Sequence, residues 1–179
     1  MKNKKGMTLF IAIVIMSILL FISFAVVNIT IKGTLFASSG RDSQYAFYAA
    51  DAGLECAIYW DSRYPTGLLD INGNPIYGSA FATSTSGSPI SCDGLSISNG
   101  SAIPNNAPTL IGGGGDGNPT SIFYFDMNRG SNAVPYCAIV TVDKYYIYPR
   151  LWTHVKSRGY NTCDTSNPRR VERGVEVTY

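Results

Sequence analysis

The sequence contains little charge and a single histidine, and both shortages limit the chemistry open to the chain. Charged residues make up 15% of the 179 residues. A catalytic triad, a histidine-rich metal site or a histidine acid–base pair would depend on His154 alone. His154 stands between Thr153 and Val155 in a strand-like stretch, so we expect an ordinary strand residue. GxSxG, P-loop and HExxH motifs are also missing, and the sequence therefore predicts no catalytic residue and no cofactor.

Charge is missing altogether from the segment between Met7 and Ile31. This run of about 25 residues exceeds the roughly 20 that a helix needs to cross a bilayer core. It is too long for a cleaved secretory signal, and residues 26–30 form a poor small-residue cleavage site. Lysines at positions 2, 4 and 5 precede it, so the positive-inside rule places the N-terminus in the cytoplasm. We expect a single-pass membrane protein whose C-terminal domain is extracytoplasmic.

The helical pattern continues beyond the apolar run, over residues 32–61. Residues recur there at steps of three and four, as on one face of an amphipathic helix. We therefore predict one helix over residues 7–61, with residues 7–31 in the membrane or a filament core. The members of the recurring face are Tyr45, Tyr48, Ala49, Ala52, Cys56, Tyr59 and Trp60.

The N-terminal motif KGMTL, followed by such a helix, resembles the N-terminus of a type IV prepilin. The stretch GRDSQYAFYAADAGLE, residues 40–55, is similar to the corresponding region of PilX-type minor pilins. The resemblance covers roughly residues 4–60. It implies a leader of residues 1–6, cut after Gly6 by a membrane-embedded prepilin peptidase that then methylates Met7.

The resemblance also implies an assembly role for the first residues of the helix. Thr8, Leu9, Phe10 and Ile11 would pack against the helices of neighbouring pilin subunits, in a filament built by inner-membrane machinery and displayed at the cell surface. Major pilins carry glutamate where this chain has Ile11. A methylated amine in an apolar core is costly without a charged partner, and Ile11 cannot supply one. We therefore expect a minor subunit at a tip or in a priming complex.

The cysteines are too widely spaced for a CxxC zinc motif. All four fall outside the membrane in this topology, and an even number in an oxidising compartment indicates disulfides. Three pairings are possible, and we favour Cys56–Cys92 together with Cys137–Cys163. The first would tie the end of the helix to the following loop. The second would close the C-terminal sheet, as in many pilin-like domains.

The remainder of the chain divides into a turn-rich part and a strand-rich part. Residues 62–120 are rich in Gly, Ser, Asn and Pro and predict loops, with isolated short strands over 76–81 and 95–97. Residues 121–179 contain alternating apolar and polar stretches. The alternation predicts an antiparallel meander laid against the outer half of the helix, which is an α+β, pilin-like fold. The strands are expected at 121–127, 136–143, 151–158 and 170–179.

Two acidic stretches bear on metal binding. Asp70, Asn72 and Asn74 resemble the start of a calcium loop, but the glycine and glutamate of that motif are misplaced. We therefore expect a simple turn there. Asp116 lies in a glycine-rich loop, and we do not expect it to bind a cation.

Basic and aromatic residues lie close together in the C-terminal third and raise the possibility of nucleic-acid binding. We favour instead a solvated face whose arginines pair with Glu172 and Glu176 across strands. Without the three N-terminal lysines, 11 of the 14 basic residues remain against 12 acidic ones, so the outer domain is not basic. The arginines concerned are Arg150, Arg158, Arg169, Arg170 and Arg173.

Three functional hypotheses follow from these patterns. The first is a PilX-like minor pilin. The second is a membrane-anchored extracytoplasmic enzyme or sugar-binding domain, with Trp60, Tyr64 and Tyr124 as an aromatic platform. The third is a pseudopilin of a type II secretion system or a DNA-binding competence pilin, which would share the fold and the processing of the first.

Overall fold

The computed structural model describes residues 4–82, 90–98, 110–111, 120–127 and 135–179. Lys2 and, within the predicted 62–120 loop, residues 83–89, 99–109 and 112–119 with Asp116 lie outside these ranges. The chain divides into two compact units, Met1–Arg41 and Asp42–Tyr179. Helix α1 spans Lys4–Arg63 and contributes to both. Each unit is described by itself.

The first unit consists of the apolar part of α1. Every described side chain from Met7 to Ala37 is exposed. Within the described part of the chain, α1 alone is long and apolar enough to cross a membrane. This part of α1 is therefore a candidate membrane anchor.

Hydroxyl groups in the apolar part of α1 are satisfied by the helix itself. The Ser17 hydroxyl donates to the Val14 carbonyl at 2.8 Å, and the Thr30 hydroxyl donates to the Val26 carbonyl at 2.8 Å. Because these hydroxyl groups are already hydrogen-bonded, they do not need water, and the segment suits a lipid or protein-core environment.

The second unit contains a four-stranded antiparallel sheet, which confirms the predicted α+β fold. Its strands follow one another in space in chain order, as expected for a meander. They begin and end within a few residues of the predicted positions, apart from a longer second strand. In the numbering used below they are β5 (Thr120–Met127), β6 (Tyr136–Ile147), β7 (Arg150–Tyr160) and β8 (Glu172–Thr178).

Two small hairpins precede this sheet, where mostly loop was expected. The first pairs β1 (Tyr64–Leu69) with β2 (Pro75–Gly78), and the second pairs β3 (Ile90–Cys92) with β4 (Leu95–Ile97). Asp93 and Gly94 connect β3 to β4 with positive φ angles of 50° and 75°. This is the backbone of a two-residue type I′ turn, for which Asp-Gly is a preferred sequence.

The helix face that covers the sheet matches the predicted one only in part, since Ala49 is fully buried as expected. Tyr48 and Tyr59 were expected to face the sheet, but they are 59% and 57% exposed. Small residues form the buried face instead, and glycines on both elements bring the two backbones together. Gly159 of β7 lies directly against the helix backbone, and Gly53 of α1 lies against side chains of β6 and β7. The fully buried alanines of α1 are Ala46, Ala49, Ala50 and Ala57.

The core lies between this small-residue face and the inward rows of the sheet. Ala138, Val140 and Val142 of β6 are fully buried, as their alternation predicted. Phe123 stacks on Phe81 with ring centroids 5.8 Å apart, which attaches the segment after β2 to the same core. The last turns of α1 are therefore held on one side by the sheet and on the other by the small hairpins.

Candidate functional site

The predicted processing and assembly residues lie at the start of α1. Gly6 and Met7 are both helical, and Met7 is 70% exposed. Leu9, Phe10 and Ile11 are exposed as well, as are the helical neighbours that follow them. This segment offers an apolar helical surface without charge, which suits packing on other helices or contact with lipid.

The cysteine pair Cys56–Cys92 forms a disulfide, with Cα atoms 5.8 Å apart. It ties α1 to the end of β3. Trp60 strengthens the same junction, because its indole nitrogen donates to the Ser91 carbonyl at 2.8 Å.

Reduction of this disulfide should lower the free energy of unfolding by about 2–4 kcal/mol, since it closes a loop with a sequence separation of 36. Denaturant unfolding with and without dithiothreitol measures the effect. A Cys56→Ser, Cys92→Ser chain serves as the control, because its midpoint should not respond to the reductant. An equal response of both chains would contradict the assignment.

The second predicted disulfide, Cys137–Cys163, is not formed in the structure. Both residues are free thiols, Cys137 buried and Cys163 half-buried. The hydrogen bond between them, together with burial, raises the pKa of Cys137. The same bond is the main cause that lowers the pKa of Cys163, with Tyr124 contributing in the same direction. The prediction brought the right residues together, since Cys163 packs against the cluster that contains Cys137, but the two thiols are not joined covalently.

The arginines proposed for nucleic-acid contact are spread over the sheet. The Arg170 guanidinium stacks on the Tyr160 ring, 3.7 Å from its centroid, while Arg158 lies opposite Ile139 and Gly174 on the neighbouring strands. Arg150 begins β7, about 26 Å from Arg158 at 3.3 Å per strand residue.

The remaining members of that group also do not converge. Arg169 is exposed after the β7 strand, and the Arg173 guanidinium donates to the Ser43 hydroxyl at 2.8 Å. On the outer face of the sheet, Glu176 lies opposite Lys156. The five arginines therefore do not line up as one continuous positive strip of the kind that contacts a nucleic-acid backbone.

The aromatic platform proposed for a binding domain is divided between two faces. Trp60 and Tyr64 are neighbours, with ring centroids 6.4 Å apart. Tyr124 instead packs beside Cys137 on the opposite face of the sheet. His154 is a strand residue of β7, 3.8 Å from a carboxylate oxygen of Glu176.

The calcium-like stretch at Asp70 forms a turn, as predicted. The Asp70 carboxylate accepts hydrogen bonds from the backbone amides of Asn72 and Asn74, each at 2.8 Å. Both amides donate to Oδ1, and the Asn74 side-chain amide donates to Oδ2 at 3.1 Å. These bonds lower the pKa of Asp70. Across the described ranges, no three potential metal ligands of the His, Cys, Asp or Glu type come together.

A buried ion pair at the end of α1 was not predicted. Lys144 Nζ lies 2.6 Å from Asp61 Oδ1, and the two side chains are 6% and 8% exposed. The Tyr179 hydroxyl donates to the other carboxylate oxygen at 2.9 Å, and the hydroxyls of Ser79 and Thr153 donate to the same carboxylate. The Asp61 carboxylate thus connects the helix, the residue after β2, the sheet and Tyr179.

The pKa of Asp61 shows that the favourable contacts of its carboxylate outweigh the cost of burying it. Burial alone would raise that pKa, but the hydrogen bonds from Lys144, Ser79 and Tyr179 and the charge of Lys144 outweigh it. The net pKa lies below the usual value of 3.8. The pKa of Tyr179 is raised, first by burial and then by the adjacent charge of Asp61.

An open groove of about 620 Å³ lies between α1, the β3–β4 turn and the edge of the sheet. Its base is formed by Phe125, Met127 and the Cys56–Cys92 disulfide, all of which are largely buried. Tyr59 and Trp60 contribute aromatic rings at one side. The sequence hypothesis identified Trp60 but not this groove, because its walls come from segments far apart in the chain.

Comparisons with protein families, with curated proteins and with solved structures find no match to this chain.

Proposed function

We propose that the chain is a minor subunit of a type IV pilus or a related filament, anchored in a membrane by α1 before assembly. The observation that carries the proposal is the division of α1. Residues 7–31 expose an uncharged apolar surface, whereas the part within Asp42–Arg63 buries a row of alanines and a glycine against the sheet. Such a helix serves two purposes, insertion into lipid or a helical core and support of an outer domain.

The identity of residue 11 supports a minor rather than a major role. Ile11 is an exposed apolar side chain and offers no carboxylate to a neighbouring subunit. A methylated N-terminal amine carried into an apolar core would remain unpaired in a filament made of this chain alone. The proposed partners are therefore other pilin subunits that meet α1, together with the prepilin peptidase and the inner-membrane assembly machinery.

N-terminal peptide mass spectrometry on membrane and sheared-filament fractions tests this proposal. The mature chain should begin at Met7 and carry one additional methyl group. A Gly6→Leu chain should retain residues 1–6, because the peptidase is expected to require glycine before its cleavage site. A native chain that keeps its leader in its own host would overturn the proposal.

A second candidate is a membrane-anchored extracytoplasmic binding domain. The groove beside Trp60 favours it, because concave sites with aromatic walls and a few polar groups are typical of ligand binding. This candidate has the same membrane anchor as the first, but it predicts no cleavage after Gly6. An intact leader together with saturable ligand binding would select it.

A further inference from the structure

We propose that the groove between α1 and the β3–β4 turn binds an alkylammonium group, for which choline is the probe. This proposal goes beyond the filament role and does not depend on it. It rests on the shape of the groove, on the arrangement of its aromatic rings and on the sign of its charges.

The aromatic rings form a corner rather than a flat platform. The Tyr59 and Trp60 rings stand at 90° to each other with centroids 5.3 Å apart. Trp60 is fixed in this position by its hydrogen bond to the Ser91 carbonyl. Tyr136 lies at the sheet side of the groove. Several aromatic faces around one space attract a cation through their quadrupoles, as in sites that recognise quaternary ammonium groups.

The charged side chains that the structure describes along the groove are all acidic. Glu55 and Asp93 line it, and none of the described side chains that form its walls is basic. Glu55 lies one helical turn before Tyr59, so the carboxylate and the ring share one face of α1. Asp93 is held at the rim by the type I′ turn. Two carboxylates above an apolar base complement a ligand that combines a positive charge with methyl groups.

The arrangement favours a cation over a flat sugar ring. A sugar stacks on one open aromatic face and exchanges hydrogen bonds with both donors and acceptors. Here the rings stand at right angles and the Trp60 indole N–H is already engaged. Carboxylates contribute acceptors only, whereas a trimethylammonium group needs no hydrogen bond and fills the space by contact and charge.

Equilibrium dialysis of radiolabelled choline against the full chain tests the proposal. The chain is held in nanodiscs of phosphatidylglycerol alone, so that no lipid carries an ammonium group, and empty nanodiscs are the reference. We expect saturable binding for which choline competes at least roughly tenfold better than its neutral tert-butyl isostere, because only choline has the charge. Equal competition by the isostere, or no saturable binding at tens of millimolar choline, would overturn the proposal.

Isosteric variants locate the site. The Glu55→Gln, Asp93→Asn chain keeps both shapes, and Asn tolerates the positive φ at position 93. It should bind choline roughly tenfold more weakly. Tyr59→Leu should weaken binding roughly two- to fivefold. The Asp70→Asn, Asp164→Asn chain is the matched control, since it also removes two carboxylates, both from exposed turns outside the groove, and it should bind as wild type. An equal loss of choline affinity in the control would mean that the net charge of the protein, and not this groove, determines binding, and it would refute the site.

A final experiment determines whether the bound ammonium group belongs to a lipid head group or to a soluble ligand. Phosphatidylcholine vesicles are offered to the nanodisc-bound chain, with phosphatidylglycerol vesicles as the reference. Selective capture that free choline displaces assigns a lipid head group, and absence of capture with choline binding retained assigns a soluble ligand. Both results support the alkylammonium site. Capture that free choline fails to displace counts against it.

Discussion

Gly159→Ala should lower the free energy of unfolding by about 3 kcal/mol or more. An added Cβ would overlap the Ala46 carbonyl oxygen and the Ala50 nitrogen, and it would lie 2.9 Å from the Ala49 carbonyl carbon. These are backbone atoms of α1 and cannot rotate away. Without the overlap, alanine in mid-strand would raise the free energy of unfolding by about 0.5–1 kcal/mol relative to glycine. The overlap is therefore the reason that we expect a loss of stability.

Chemical unfolding of the full chain, followed by tryptophan fluorescence, measures this change. Gly174→Ala on the adjacent strand is the matched control. Its added Cβ would approach only the Ser157 carbonyl oxygen, at 3.8 Å, which is an ordinary contact. We expect that control to remain within about 1 kcal/mol of wild type. Equal stability of the two variants would show that the helix and β7 are not packed backbone to backbone.

The same glycine explains which part of the fold was predictable from sequence. The existence of α1, the order of the strands and the inward row of β6 follow from residue periodicity, which is a local property. The face that α1 buries follows from it only in part, because the periodic set contained the buried Ala49 but also Tyr48 and Tyr59, which are exposed. Close packing at Gly159 excludes large residues from the contact, and no local pattern shows which strand will lie there.

The candidate sites also differ in whether they can be predicted from the sequence. The assembly residues from Gly6 to Ile11 form one continuous stretch and are visible as a motif. The groove combines Glu55, Asp93 and Tyr136 from three separate segments, and only the fold brings them together. The sequence does contain an indication of the Asp61 ion pair. Lys144 continues the inward row formed by residues 138, 140 and 142, and a lysine in an apolar row indicates a buried partner.

Lys144→Met should lower the free energy of unfolding by about 3–5 kcal/mol, because it leaves the buried Asp61 carboxylate without a cation. The hydroxyl donors from Ser79, Thr153 and Tyr179 remain, but none of them carries charge. Lys156→Met, on the exposed face of β7, is the control and should change stability by about 0.5 kcal/mol or less.

A double variant separates the loss of the ion pair from general damage to the core. Asp61→Asn removes the charge and keeps an oxygen that accepts from Tyr179. Lys144→Met combined with Asp61→Asn should therefore be more stable than Lys144→Met alone, as expected when a buried pair is neutralised on both sides. Additive losses in the two single variants would contradict the pairing.

The acid dependence of stability provides an independent measurement of the same pair. The folded-state pKa of Asp61 is lowered below 3.8, so its contribution is complete above that value and is lost as the pH falls through the lowered pKa. Wild type should therefore lose stability below about pH 3.8 more steeply than Asp61→Asn, which has no proton to bind there. Urea unfolding of both chains between neutral and strongly acidic pH measures this difference. Parallel curves would mean that the Asp61 carboxylate gains nothing from Lys144 in the folded protein, and the ion pair could then not be what joins the end of α1 to the sheet.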